Sequence, residues 1–213
     1  MEFIILRMRL TGVHFQINLK DTLGGGGASV IIVKDKATAD IEELKRCAAE
    51  WVKIDAHIRG GGREWPYYSG KNHRIIIEKY LDADENAGGL IDYKLLSFNG
   101  KPTIVYVLAD RVIGNGAGCG IYDDEFNKLP CLELDERPLE RIIEKPLMFE
   151  LMKEIASRLS EDFPEVRVDL YEVEGKVRFG EITFYDSSGY MKFDPDSFDE
   201  EMGELFKLPK TRC

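Results

Sequence analysis

Val166-Arg167-Val168-Asp169-Leu170-Tyr171-Glu172-Val173-Glu174-Gly175-Lys176-Val177-Arg178-Phe179-Gly180-Glu181-Ile182-Thr183-Phe184-Tyr185 decides the fold. Apolar and polar residues alternate on both sides of Gly175, which predicts two antiparallel strands. One register sorts them best. It sets Asp169 opposite Glu181 and Arg167 opposite Thr183 on one face. Val168 then meets Ile182 and Val166 meets Phe184 on the other, with Glu172 facing Arg178 near the turn. Apolar pairs and opposite charges stabilise such a ladder. A slip of one residue would bring Glu181 against Val168 and scramble both faces. This register predicts a three-residue loop, Glu174-Gly175-Lys176, in which Gly175 tolerates positive φ.

Two carboxylates directly across a ladder repel unless a cation lies between them. Hard carboxylate oxygens suit Mg²⁺ bound jointly with substrate phosphates. Arg167 beside them offers a planar fork for a phosphoryl group or a developing oxyanion. An ordinary solvent-facing charged strand has the same composition, and the pattern by itself leaves both readings open.

Working outward, Pro146 sits where a helix begins. Met148, Leu151, Met152, Ile155, Ala156 and Leu159 form its apolar stripe, and Pro164 stops it. Ile91 to Phe98 and Thr103 to Ala109 read as strands joined by Asn99-Gly100, a strong hairpin signal. Residues 110–144 read as irregular, and the chain after Tyr185 as an acidic tail. Upstream, Asp40 and Glu43 suggest a capping box for a helix with Ile41, Leu44, Ala48, Trp51 and Val52 on one stripe. Val30 to Val33 reads as a strand and Arg74 to Leu81 as a buried one. Together these elements predict an α+β fold of antiparallel sheets with packed helices.

The 213 residues suit one large or two small domains, and 44% hydrophobic with 32% charged residues is a globular composition. A net charge of -10 argues against a general grip on nucleic acid. Cys47, Cys119, Cys131 and Cys213 form no C-x-x-C pair, which predicts free thiols in a reducing compartment. Phe3 to Leu10 is too short for a transmembrane segment and is broken by Arg7 and Arg9. The expected location is the cytoplasm.

The hairpin residues, followed by Ser187-Ser188-Gly189, resemble the metal-binding end of ATP-grasp enzymes. More narrowly, the chain resembles the TupA-like ATP-grasp family, named for teichuronopeptide synthesis and associated with cell-surface polysaccharide. Supporting motifs are Gly62-Arg63-Glu64-Trp65-Pro66-Tyr67, Ile77-Glu78-Lys79-Tyr80-Leu81, Asp92-Tyr93-Lys94, Phe98-Asn99-Gly100-Lys101-Pro102 and Leu159-Ser160-Glu161-Asp162-Phe163-Pro164. The resemblance implies an ATP-grasp fold with an N-terminal lobe over 1–75 and a C-terminal lobe over 76–213 that holds the nucleotide and metal site. It implies ATP and Mg²⁺, with Asp169, Glu181 and Thr183 as metal ligands and Arg167 as the catalytic group at an acyl phosphate. Glu78, Lys79, Tyr80 and Leu81 would form the linker that contacts adenine, and Lys94 would face the phosphates.

The resemblance also implies a carboxylate–amine ligase acting on a small-molecule or glycan carboxylate in surface-polymer assembly. The N-terminal end departs from the family pattern. Asn18 stands where relatives carry a phosphate-binding Lys, Lys20 is shifted towards the loop Gly24 to Gly27, and the relatives' upstream domain is absent. The chain therefore reads as N-terminally truncated, which leaves a homo-oligomer or a partner to supply the missing lobe. Two rival readings follow. One is a non-catalytic nucleotide-binding or interaction module. The other is a polysaccharide glycosyltransferase, for which Asp194-Pro195-Asp196 offers only a literal metal motif. Cys119 has no evident base partner and is not expected to be a nucleophile.

Overall fold

Residues 16–22, 29–35, 37–53, 74–81, 89–112, 116–184 and 186–208 are described by the computed structural model. The chain divides into two units, Met1–Tyr80 and Leu81–Cys213. Gly24 to Gly27, Trp65, the Gly62 to Tyr67 motif and His73 lie outside the described residues.

In the first unit, Ile17–Asp21 (β1) pairs antiparallel with Val30–Val33 (β2) on one side and Ile75–Lys79 (β3) on the other. Because β3 is hydrogen-bonded along β1, it belongs to this unit. β3 is also less buried than an unbroken apolar run suggests: Ile76 and Ile77 are 42% and 47% exposed. The helix Ile41–Trp51 (α1) starts where Asp40 accepts a hydrogen bond from the Glu43 amide at 3.0 Å. The return arm of the expected capping box is absent, because the Glu43 side chain pairs with Arg46 instead. No residue of α1 is fully buried.

The second unit is built on six strands in the order β10-β9-β4-β5-β6-β8. These are Asp92–Phe98 (β4), Lys101–Val112 (β5), Gly116–Asp123 (β6), Arg137–Pro138 (β8), Glu165–Val173 (β9) and Lys176–Thr183 (β10). The turn at Asn99-Gly100 has φ of 52° and 80°, as its sequence predicts for a two-residue hairpin turn.

The expected irregular region contains strands: β6 lies there with Leu132–Glu133 (β7) and β8. Three glycines hide β6 from pattern reading, yet close packing requires two of them. A Cβ at Gly118 would lie 3.0 Å from Leu139 Cδ1, and one at Gly120 would lie 3.0 Å from Tyr122 Cε2. The acidic tail likewise folds, into Phe193–Asp194 (β11), paired with β7, and a helix Ser197–Leu205 (α3) that buries Phe198 and Met202.

Strand alternation gives the sheet two buried faces. One carries Tyr93, Leu95, Val105, Val107, Val168 and Leu170 beneath the helix Phe149–Ser160 (α2). That helix buries Phe149, Met152 and Ala156, whereas Leu151 of the expected stripe is 43% exposed. Burying a side chain such as Phe149 or Met152 contributes roughly 1.5–3 kcal/mol. The other face carries Leu96, Ile104, Tyr106, Leu108 and Ile121, packed with Phe193, Phe198 and Met202.

Candidate functional site

Asp92 and Lys94 of β4, Arg167 and Asp169 of β9 and Glu181 of β10 share this second face. Pairing runs Glu181 to Asp169 to Lys94 to Tyr106 across four strands, with Thr183 opposite Arg167 in the next row. The expected pairs Asp169–Glu181 and Arg167–Thr183 are present, and so is Val168–Ile182.

Nearer the turn, the expected register is wrong. Glu172 faces Val177, Lys176 pairs with Val173, and the loop is the two residues Glu174 and Gly175, with φ of 53° and 67°. The two registers are joined at Gly180, the extra residue between Phe179 (opposite Leu170) and Glu181 (opposite Asp169). The bulge has a clear purpose. Val177, Phe179, Glu181 and Thr183 are all in phase along the sequence, so an unbroken strand would put them on one face. The bulge sends Val177 to the α2 core and Glu181 to the charged face. A Cβ at Gly180 would lie 2.8 Å from Tyr171 Cε2 and 3.0 Å from the Asp169 carbonyl oxygen, so only glycine fits there.

The charges are not solvent-facing. Asp169 is 1% exposed and Arg167 7%. Arg167 donates from Nε to Asp169 Oδ1 at 2.7 Å and from Nη2 to Asp169 Oδ2 at 2.8 Å and Glu181 Oε1 at 3.0 Å. Its Nη1 pairs with Asp186, in the 3-10 turn Asp186–Gly189 after β10. Lys94 pairs with Asp169 and, at 3.0 Å, with Asp92 Oδ2, which also lies 3.9 Å from Arg111 Nη2. Thr183 Oγ1 donates to Glu181 Oε1 at 3.2 Å. The cation that relieves the facing carboxylates is therefore the Arg167 guanidinium itself.

Burial opposes the charges of Lys94, Arg167, Asp92 and Glu165, and partners outweigh it for the two cations only. Burial would lower Lys94, but Asp92 and Asp169 carry its pKa above the usual lysine value. Burial would also lower Arg167, and its carboxylates outweigh that, holding it firmly charged. Asp92 is pushed up by burial in spite of Lys94. Glu165, at the start of β9, is pushed up to about 7 by burial and by Asp186. At the rim, the Glu181 side chain is 63% exposed, so the cluster opens to solvent there.

In the first unit, Lys20 Nζ lies 2.5 Å from Glu78 Oε2. Asn18 stands directly across from Glu78 and shares a face with Lys20, two residues further along β1. The lysine displaced by one strand repeat thus still reaches that face. Lys79 alternates to the opposite face, and Tyr80 and Leu81 are half-buried. The Tyr80 amide already donates to the Gln16 carbonyl at 3.0 Å.

Sequence reasoning missed Asp186, Asp92 and Glu165. Asp92 had a readable signal, two residues before Lys94 on the same strand face. Asp186 had none, because only the turn after the hairpin brings it back to Arg167. Asp110 pairs with Arg141 Nε at 2.9 Å, outside this cluster of contacts. Burial pushes the Cys119 thiol up to about 12, in keeping with an inert side chain. Among the described residues, no helix is long and apolar enough to cross a membrane.

No curated protein matches the chain. Among solved structures it is similar to a D-alanine–D-alanine ligase from Bacillus anthracis, with 18% identity and a TM-score of 0.45 over 89% of this chain and 50% of that one. The chain thus spans about half the length of that ligase. The family model for TupA-like ATP-grasp proteins matches residues 11–207, nearly the whole chain. With its α+β architecture of antiparallel sheets, the chain belongs to the TupA-like ATP-grasp family.

Proposed function

We propose that the chain takes part in an ATP- and Mg²⁺-dependent ligation, in which a carboxylate is activated as an acyl phosphate and an amine displaces phosphate to give an amide. The observation that carries this reading is the cluster on the second sheet face. Asp92, Asp169, Glu181 and Asp186 face Lys94, Arg167 and, at 3.9 Å from Asp92, Arg111, so carboxylates still outnumber cations in a largely buried setting. A divalent cation bound with phosphate would add positive charge where the carboxylates are in excess. Among the described residues, no three His, Cys, Asp or Glu side chains converge as a cage. That suits Mg²⁺, which takes one or two carboxylates and completes its shell with water and phosphate.

In this reading Asp169, Glu181 and Thr183 would supply the oxygen ligands for Mg²⁺, which would offset phosphate charge. Arg167 presents its fork to the transferred group, and Lys94 adds a second positive charge beside it. Both act by positioning and electrostatics and not by covalent chemistry. Within the first unit, the paired Lys20 and Glu78 are our candidates for nucleotide contact, with Lys79, Tyr80 and Leu81 as the linker. The Tyr80 amide is already bonded to Gln16, so adenine contacts fall to other groups of that stretch. The acceptor we favour is a small-molecule or glycan carboxylate used in cell-surface polysaccharide assembly in the cytoplasm, with no nucleic acid involved. A non-catalytic nucleotide-binding module is the second reading, favoured by Asn18 in place of the family's lysine.

Thermal melts and calorimetry with Mg·ATP, followed by an ADP-release assay with candidate carboxylates, separate the two. At a hundredfold excess over the dissociation constant, Mg·ATP should raise stability by about 3 kcal/mol. Full protection surviving in both Asp169→Asn and Glu181→Gln removes the metal assignment. Protection without carboxylate-stimulated ADP release favours the binding module.

A further inference from the structure

Each of the two clustered cations holds two kinds of carboxylate. Lys94 lies between Asp169 and Asp92. Arg167 gives Nε and Nη2 to Asp169 and Glu181 but keeps Nη1 on Asp186. One partner of each cation is thus a metal ligand in the reading above, and the other lies outside that set. We propose that Asp92 and Asp186 are positioning residues that keep Lys94 and Arg167 in place when Asp169 and Glu181 turn to a divalent cation. The cations then change partner without leaving the site. The inference rests on the metal reading of Asp169 and Glu181.

The physical reason is that carboxylate oxygens cannot serve a divalent ion and two monovalent cations with equal strength. Without a second partner, Lys94 and Arg167 would either cling to Asp169 and oppose the ion or be left buried and unpaired. Asp92 has capacity to spare: its buried Oδ1 has no hydrogen-bond partner among the described residues. Asp186 reaches Arg167 from a turn and not from the ladder, so its grip on Nη1 does not depend on where Asp169 and Glu181 point. Arg167 would thereby keep one orientation of its fork before and after the ion arrives.

The test is a titration of the full chain with Mn²⁺, followed by electron paramagnetic resonance of the free ion, with a non-hydrolysable ATP analogue present. Asp92→Asn should weaken Mn²⁺ binding by about tenfold or more, as loss of an outer partner does at metal sites. In a Lys94→Met background the same change should add less than about twofold, because its effect runs through Lys94. Equal losses in both backgrounds overturn the inference, since Asp92 would then act on the ion directly or through the fold. Asp186→Asn, at a less buried position, gives an independent arm should Asp92→Asn fail to fold. It should also weaken Mn²⁺ binding, with Asp186→Glu restoring it, and wild-type affinity in Asp186→Asn overturns the proposal. Wild-type protein that takes up no Mn²⁺, or Asp169→Asn that binds as wild type does, removes the metal reading and this inference with it. Binding lost in Asp169→Asn together with additive Asp92 and Lys94 effects strikes the inference alone.

Discussion

The two faces of the six-stranded sheet are buried by different means. Beneath α2, the face is filled by Leu95, Val105, Val107, Val168 and Leu170, with Glu172 at its margin, where it accepts from the Met148 amide at 3.1 Å. On the other face, an apolar cluster of similar make-up gives way at β4, β9 and β10 to Asp92, Lys94, Arg167 and Asp169, all buried or nearly so. An apolar face gains stability from each side chain it covers. A buried ion pair roughly breaks even against its own desolvation and is costly once one partner is lost. The second face therefore keeps its charges at no advantage to folding. That supports the proposed role of these residues in binding.

The comparison is tested most severely by removing one group from each face. Phe149→Ala should cost about 3–5 kcal/mol through the cavity it leaves. Asp169→Asn should cost about 1.5–3 kcal/mol, because it weakens the hold on Lys94 and Arg167, which keep Asp92 and Asp186. Glu181→Gln, at an exposed carboxylate, should cost about 1 kcal/mol or less. Denaturant melts of the three variants decide the matter. An Asp169→Asn protein as stable as Glu181→Gln would mean that burial of the charged cluster carries no cost and that the contrast between the faces is false.

A smaller effect is expected at the point where the hairpin crosses from one register to the other. Gly180→Ala must displace the Tyr171 ring or the Asp169 backbone, at about 1–3 kcal/mol. It should disturb amide resonances of Asp169 and Glu181 more than those of Val173 and Lys176. Equal disturbance along the hairpin would argue that the two halves are one unit.

The smallest effect concerns pH. Glu165 has its folded-state pKa raised to about 7 by burial and by Asp186. Its contribution is fully present below the unfolded carboxylate pKa and is lost as pH rises through about 7. Stability should therefore fall between roughly pH 5 and 8 by about 1 kcal/mol once solvent screening is allowed for, a Tm change of about 2–4 °C. Glu165→Gln should flatten that slope in a pH series of melts. An unchanged slope would place the titration elsewhere.

Much of this was legible in the residues. The Asp169–Glu181 and Arg167–Thr183 pairs follow from the need to gather Val168 and Ile182 on one side. The turn half was not legible, because a three-residue loop without a bulge and a two-residue loop with one give the same pairs at the site. Only the steric crowding at Gly180 separates them. β6 was lost because Gly116, Gly118 and Gly120 carry no alternation, and the reason for Gly118 and Gly120 lies in Leu139 and Tyr122, contacts that no local pattern reports. The helix Ser197–Leu205 reads as tail by charge, while its two anchors, Phe198 and Met202, are too few to mark a face. The burial of Arg167 and Asp169 depends on tertiary packing and could not be read from an alternating strand.

The bulge at Gly180 also bears on how such a chain can change over generations. A hairpin whose register is fixed only at its tip passes every insertion or deletion there down the whole ladder. Here the pairing beyond Gly180 is tied to Tyr171 and the Asp169 backbone, so length variation between Val173 and Phe179 can be absorbed before it reaches the carboxylates. The exposed end of the hairpin is thereby free to drift, while the two acidic side chains remain opposite one another.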